Sequence, residues 1–305
     1  MPTTYTRWKL GFTLSLMTAV LWGLLPIALK GLLEVMDAVT ITWYRFVSAA
    51  IVLALLLLLK LGFPKLKLLR GRILVLVIIC IVGLTYNYVC YLLGLKATTP
   101  SSAQVMIQLA PMLLLIGGLV IFKENFSRWQ WLGLSIFIVG IGCFFNHRWA
   151  EVFHSFDTYT IGILWVVLAA VLWAAYALTQ KTLLSKFTSF EIMFFIYGVG
   201  SFILLPNASP SQIADLNAVA IGLLIFCCLN TLFAYGAFAE ALAHWEASRV
   251  SAVLSMTPLL TIVFMHLTHH FFANYKDLEP LNTLSIAGAI LVVIGSMLTA
   301  LANRI

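Results

Sequence analysis

Residues 11–30 read GFTLSLMTAVLWGLLPIALK, and residues 162–181 read GILWVVLAAVLWAAYALTQK. Each stretch opens on glycine, carries AVLW at the same place and ends on lysine. Each is apolar over about 20 residues, the length at which an α-helix crosses ~30 Å of hydrocarbon. Membrane strands alternate with period two, and these runs do not. Two such stretches, half a chain apart, point to a membrane protein built from a repeat.

Comparable stretches fill the rest of the chain. They run roughly over residues 10–30, 38–60, 72–95, 99–122 and 128–146, then roughly over 160–181, 188–206, 217–243, 248–271 and 281–303. Composition agrees, with 62% hydrophobic and only 10% charged residues and a mean hydropathy of +1.04. A soluble domain carries ~25% charged residues, so this chain of 305 cannot cover a water-facing surface. Disorder and a disulfide scaffold are excluded with it. Ten helical spans leave only short loops. The first span follows Arg7 and Lys9 as a signal peptide would, but its apolar run is too long for an h-region. It reads as an uncleaved helix. Cys80, Cys90, Cys143, Cys227 and Cys228 all lie inside apolar runs and read as small core residues.

Ten spans place both termini on one side. The loops of that side hold Arg7, Lys9, Lys60, Lys65, Lys67, Arg70, Arg72, Lys123, Arg128, Lys181, Lys186, Arg249 and Arg304. The other side holds Lys30, Lys96, Arg148 and Lys276, and Arg45 falls within the second span. Lys and Arg collect on the cytoplasmic side of short loops. The net charge of +7 therefore orients the chain rather than recruiting nucleic acid, and both termini are expected in the cytoplasm.

The repeat extends beyond AVLW. Tyr88 matches Tyr235, Ser101 matches Ser248 and Pro111 matches Pro258 at one spacing. Gly133 and Gly140 in the fifth span match Gly288 and Gly295 in the tenth. Five spans per unit is odd, so the second unit must be inverted in the membrane, an architecture of secondary transporters. The expected units are 10–146 and 160–303, joined by an outer loop over 147–159. Two five-span units, AVLW in each first helix, a mid-helix proline in the fourth, Glu124 at that helix's end and a glycine-rich fifth helix resemble the EamA-type branch of the drug/metabolite transporter superfamily. The resemblance implies ten helices around a central cavity. It also implies an inner-membrane carrier, commonly an exporter, of amino acids or other small metabolites. One departure is that Phe271 stands where the second unit should repeat Glu124.

A solute path needs polar groups, which are costly in lipid and so mark function. Gln104, Gln108 and Pro111 form one helical stripe, and Ser251, Ser255 and Pro258 form its repeat. Such side chains line a cavity or bond neighbouring helices. Pro111 and Pro258 each remove a backbone N–H, giving a gating hinge or a static kink. Asn87, Tyr88 and Tyr91 in the third span and Asn230, Thr231 and Tyr235 in the eighth add polar turns. Trp22 and Trp173 lie deep within their spans, away from the interfacial belt. Core packing competes with substrate binding for all of them. Arg45 can neutralise a substrate carboxylate, snorkel, or pair with Asp37. Glu240 can carry a coupling proton if buried, or pair with Arg249. His266, His269 and His270 share one helix face but lack the acidic or Cys partners of a metal site.

No Walker motif appears, so energy would come from a solute or proton gradient. A membrane-embedded enzyme needs a catalytic cluster, and a channel needs a filter loop; neither is legible. The expected partners are a small-molecule substrate and lipid, with no cofactor, and a monomer suffices because ten spans can enclose a cavity.

Overall fold

A computed structural model describes residues 7–62, 64, 66–121, 123, 127–148, 157–271 and 281–301. The described residues are helical, with no strand. In the first unit, α1 is Trp8–Leu32, α2 Ala38–Leu56, α3 Arg72–Ala97, α4 Pro100–Met106, α5 Leu109–Ile121 and α6 Arg128–Phe144. In the second, α7 is Thr158–Leu183, α8 Ser189–Leu204, α9 Ala218–His244, α10 Ala247–Leu254, α11 Thr257–Phe271 and α12 Thr283–Leu301.

Starts of these helices are set by local chemistry. A helix's first N–H groups lack intrahelical acceptors, and a short polar side chain supplies one. Asp37, Thr99, Ser127, Asp157, Thr188 and Asn217 do so for α2, α4, α6, α7, α8 and α9. Ser127 with Gln130, and Thr188 with Glu191, are reciprocal capping boxes. The open carbonyls at the end of α3 are held differently. Lys30, at the end of α1, donates its ammonium to Leu95 O and Lys96 O at 3.0 Å and to Thr98 O at 2.6 Å.

The fourth and ninth spans are not single kinked helices but broken ones. A proline ring clashes with the carbonyl four residues back and cannot bond to it. For Pro111 that carbonyl belongs to Ile107, and it accepts instead from Ala110 N at 2.9 Å. For Pro258 it belongs to Leu254, which accepts from the Thr257 hydroxyl. The helices divide there into α4 and α5, and α10 and α11. Counting each broken pair as one, nine stretches among the described residues are long and apolar enough to cross a membrane. Helix α6 is shorter, at 17 residues, or ~26 Å. Outward faces are apolar: Phe202 and Leu59 are 75% and 78% exposed, which only lipid makes tolerable. The chain is an all-α, multi-pass membrane protein.

Packing follows the inverted repeat. Helix α1 lies along α9, α3 lies along α7, and α6 lies along α12. Matching contacts recur in the two halves. A Cβ at Gly162 would meet Thr98 Cγ2 at 2.7 Å, and one at Gly11 would meet Trp245 Cβ at 2.4 Å. The spacings that match Gly11 with Gly162 and Tyr88 with Tyr235 also match Thr98 with Trp245. Asn87 donates to Ala169 O at 2.7 Å, while at the matching place Thr18 donates to Ala234 O at 3.4 Å. Asn230 donates to Leu21 O at 2.7 Å, and its match, Gly83, lies against Leu172 O. Gly133 faces Gly295 and Gly140 faces Gly288, so this contact is its own image.

Candidate substrate-binding site

Aligning the two N-caps Asp37 and Thr188 matches Phe46 with Tyr197. These two rings touch, with centroids 5.0 Å apart. The phenols of Tyr88 and Tyr235, also repeat images, lie close enough to interact. A residue that touches its own image lies near the axis relating the two halves, and for inverted repeats that axis lies in the membrane plane. Around this point both halves contribute aromatic rings. Phe46 packs edge-on to Tyr88 at 5.0 Å, and Trp22 packs edge-on to Tyr235 at 5.4 Å. Phe238 lies 5.9 Å from Trp22, and Tyr176 lies 6.3 Å from Trp173.

Arg45 sits in this aromatic group, 3% exposed. Its guanidinium carbon lies 4.6 Å from the centroid of the Tyr88 ring, a cation–π contact. Its Nε donates to Thr231 Oγ1 at 2.9 Å. Thr231 in turn donates to Cys227 O at 2.9 Å, so its lone pairs face Arg45. Pairing with Asp37 does not occur. That carboxylate accepts from Val39 N, Thr40 N and the Thr40 hydroxyl as the cap of α2. Snorkelling does not occur either, because the buried head lies against α3 and α9.

Of the other expected residues, Trp22, Tyr88, Tyr235 and the half-buried Trp173 border this interior. Tyr91 donates its hydroxyl to Gln104 Oε1 at 3.0 Å, linking α3 to the broken fourth span. Gln108 and Ser255 are buried, and Ser255 bonds Ala252 O in its own turn. The Gln108 side chain makes no hydrogen bond with a described residue. Pro111 and Pro258 stand at the helix breaks. Asn87 and Asn230 spend their amide N–H groups on helix contacts, as above. Ser251 is exposed.

Glu240 differs from expectation. Its side chain is 61% exposed and pairs with His244 at 2.9 Å, while Arg249 pairs with Glu246 at 2.9 Å. Burial, the premise for a coupling proton, is absent at Glu240. His266 Nδ1 lies 2.8 Å from Ile262 O within its own helix. Among the described residues no group of three or more His, Cys, Asp or Glu could hold a metal ion. Glu124 and connector residues 149–156 lie outside the described residues. Phe46, Tyr176 and Tyr197 were not singled out in the sequence, whereas Thr231 was, as part of the polar turn of the eighth span. An apolar helix conceals which of its aromatic residues face inward, and only the N-cap alignment of α2 and α8 points to two of them.

The model of the EamA-like transporter family matches residues 9–146 and 160–301. The chain belongs to this family. Family membership covers both halves, in keeping with the paired contacts above. An uncharacterized transporter of Haemophilus influenzae is 40% identical over 296 residues, covering 97% of this chain and 96% of that one. The uncharacterized inner membrane transporter YhbE of Escherichia coli K12 is 38% identical over 297 residues, covering 97% and 92%. A crystal structure at 17% identity shares the fold, with a TM-score of 0.59 over 96% of this chain and 98% of the other. Membrane transport is thus the function of the family to which the chain belongs.

Proposed function

We propose that the chain is a secondary active transporter that exports a small metabolite, an amino acid or related compound, by alternating access. One observation carries this reading. Phe46 touches its own repeat image, Tyr197, and the image pair Tyr88 and Tyr235 flank them, Tyr88 packed on Phe46 and Tyr235 on Trp22, around an interior point between the inverted halves. A carrier needs its solute at such a point, equally remote from both faces, so that rocking of one half against the other exposes it alternately. The broken fourth and ninth spans supply matched places where such motion changes few hydrogen bonds. Export, and residence in the inner membrane with cytoplasmic termini, rest on the family, on the relative YhbE and on the Lys/Arg distribution. Glu240 has no part in this mechanism.

The test is counterflow in liposomes holding the purified protein, against a panel of amino acids and small metabolites, with and without a pH gradient. Saturable exchange of a solute class is expected, and Tyr235→Ala and Gln108→Ala should lower it without lowering folded yield. Flux that rises with concentration without saturating, or product formation without solute movement, would defeat the reading. A reporter fused to the C-terminus should be active in the cytoplasm only.

A further inference from the structure

Arg45 is a full positive charge in the membrane interior with no negative partner among the described residues. The groups whose electrostatics it influences are Tyr91, Tyr235, Cys227 and Cys228, and its direct contacts are Tyr88 and Thr231. None of these is a carboxylate. Among the described residues no carboxylate lies within ion-pair distance of it. Its guanidinium has five N–H donors, and only Nε is bonded to a described residue. The Nε bond to Thr231 and the cation–π contact with Tyr88 hold the guanidinium in place. The pair of Nη groups remains as a fork, the geometry that matches a carboxylate. A second buried polar group here, the Tyr197 hydroxyl on a residue 2% exposed, makes no hydrogen bond of good geometry, with the Tyr88 phenol as its neighbour. The repeat position of Arg45 is Ile196, so the interior holds one such charge and not a symmetric pair.

An intramembrane cation with no internal counter-ion marks function, because its cost is offset only when something anionic arrives. We propose that Arg45 is the anion-recognition residue of this site, and that the transported solute bears one carboxylate on an apolar or aromatic body. The carboxylate meets the free guanidinium fork, and the body lies among Tyr88, Tyr235 and Trp22. Thr231 is a positioning residue that holds the guanidinium in place. This inference rests on the carrier reading for its biological meaning, but its test is binding and does not require transport.

The test uses matched acids and amides of the same shape: phenylacetate with phenylacetamide, indole-3-acetate with indole-3-acetamide, and phenylalanine with phenylalaninamide. Binding is read as the rise in thermal unfolding midpoint of the full chain in detergent. For at least one pair, the wild type should bind the acid about tenfold or more tighter than the amide, as a hydrogen-bonded charge pair implies. Arg45→Gln should bring acid and amide within about twofold of each other while keeping the unliganded midpoint. Should Arg45→Gln fail to fold, Arg45→Lys and Thr231→Val keep the charge and are read instead. Both should weaken the acid by several-fold and leave the amide unchanged. Equal binding of acids and amides by the wild type, binding of neither, or an acid preference that survives Arg45→Gln would overturn the proposal. Acid-selective binding without liposome exchange would uphold Arg45 and defeat the carrier. Exchange without acid preference would do the reverse.

Discussion

Gly140→Ala and Gly142→Ala lie two residues apart on α6 and should have opposite effects. A Cβ at Gly140 would sit 2.6 Å from Val292 N and 2.9 Å from Gly288 O, whereas one at Gly142 meets nothing within 4 Å. Ordinary contact begins near 3.4 Å. The atoms met at Gly140 are backbone of α12, so no side chain can rotate away. The helices must part by roughly 0.5–1 Å, which forfeits a quarter to a half of the dispersion attraction at each contact. Overpacking of this kind costs ~1–3 kcal/mol, and a rigid helix–helix crossing places Gly140→Ala in the upper half of that range. Gly142→Ala relieves a poor helix former on an open face and should be neutral or stabilising by up to ~1 kcal/mol. Gly288→Ala faces the same crossing, 2.3 Å from Phe144 N and 2.7 Å from Gly140 O. The double variant Gly140→Ala/Gly288→Ala should therefore cost less than the sum of the singles, since one separation serves both. The assay is thermal unfolding in detergent followed by tryptophan fluorescence. If Gly140→Ala were as stable as Gly142→Ala, the close crossing of α6 and α12 would be refuted.

Asn87→Ala should lower stability by about 0.6–1.7 kcal/mol, the range of interhelical hydrogen bonds in membranes, read from the same unfolding curves. Thr18→Ala should cost less, because its bond to Ala234 O is long, at 3.4 Å. Pro111→Ala returns an N–H that can bond to Ile107 O and lets α4 and α5 fuse; the unfolding midpoint should rise while liposome exchange slows. Asp157, outside the spans, has its carboxyl held below the usual carboxylate range, chiefly by the Thr160 N–H it accepts at 2.8 Å. A lowered folded pKa stabilises the fold above the unfolded value of ~3.9, and that contribution disappears as pH falls through the folded value. A pH series of unfolding midpoints should show this acid loss in the wild type and less of it in Asp157→Asn.

Particular residues show why some features were legible and others were not. Span positions follow from apolar runs because hydrocarbon demands a minimum length of apolar helix, whatever packs beside it. Helix starts are equally local: Asp37, Ser127 and Thr188 are adjacent in sequence to the N–H groups they satisfy. Pro111 and Pro258 were visible as disruptions, but whether a proline kinks or divides a helix depends on what the displaced carbonyl finds. Ile107 O found Ala110 N, and Leu254 O found the Thr257 hydroxyl. Asn87 and Asn230 stood out as polar residues in lipid. Their acceptors, Ala169 O and Leu21 O, lie on helices distant in sequence, so nothing local separates a packing amide from a binding one.

By itself the sequence determined a membrane protein, its spans and the doubling of five helices, and it carries an orientation signal in its loops. Each of these depends on hydrophobic length, on charge in loops, or on letters that recur at fixed spacing. Only the tertiary structure decided which side chains meet. It showed Glu240 exposed and paired with His244, one helical turn away on the same helix. It left Arg45 between Tyr88 and Thr231, too far from Asp37 to be neutralised, because the capping of α2 already occupies that carboxylate. The partners of a buried charge come from helices the sequence does not place side by side, so its role emerges only when the two halves are packed.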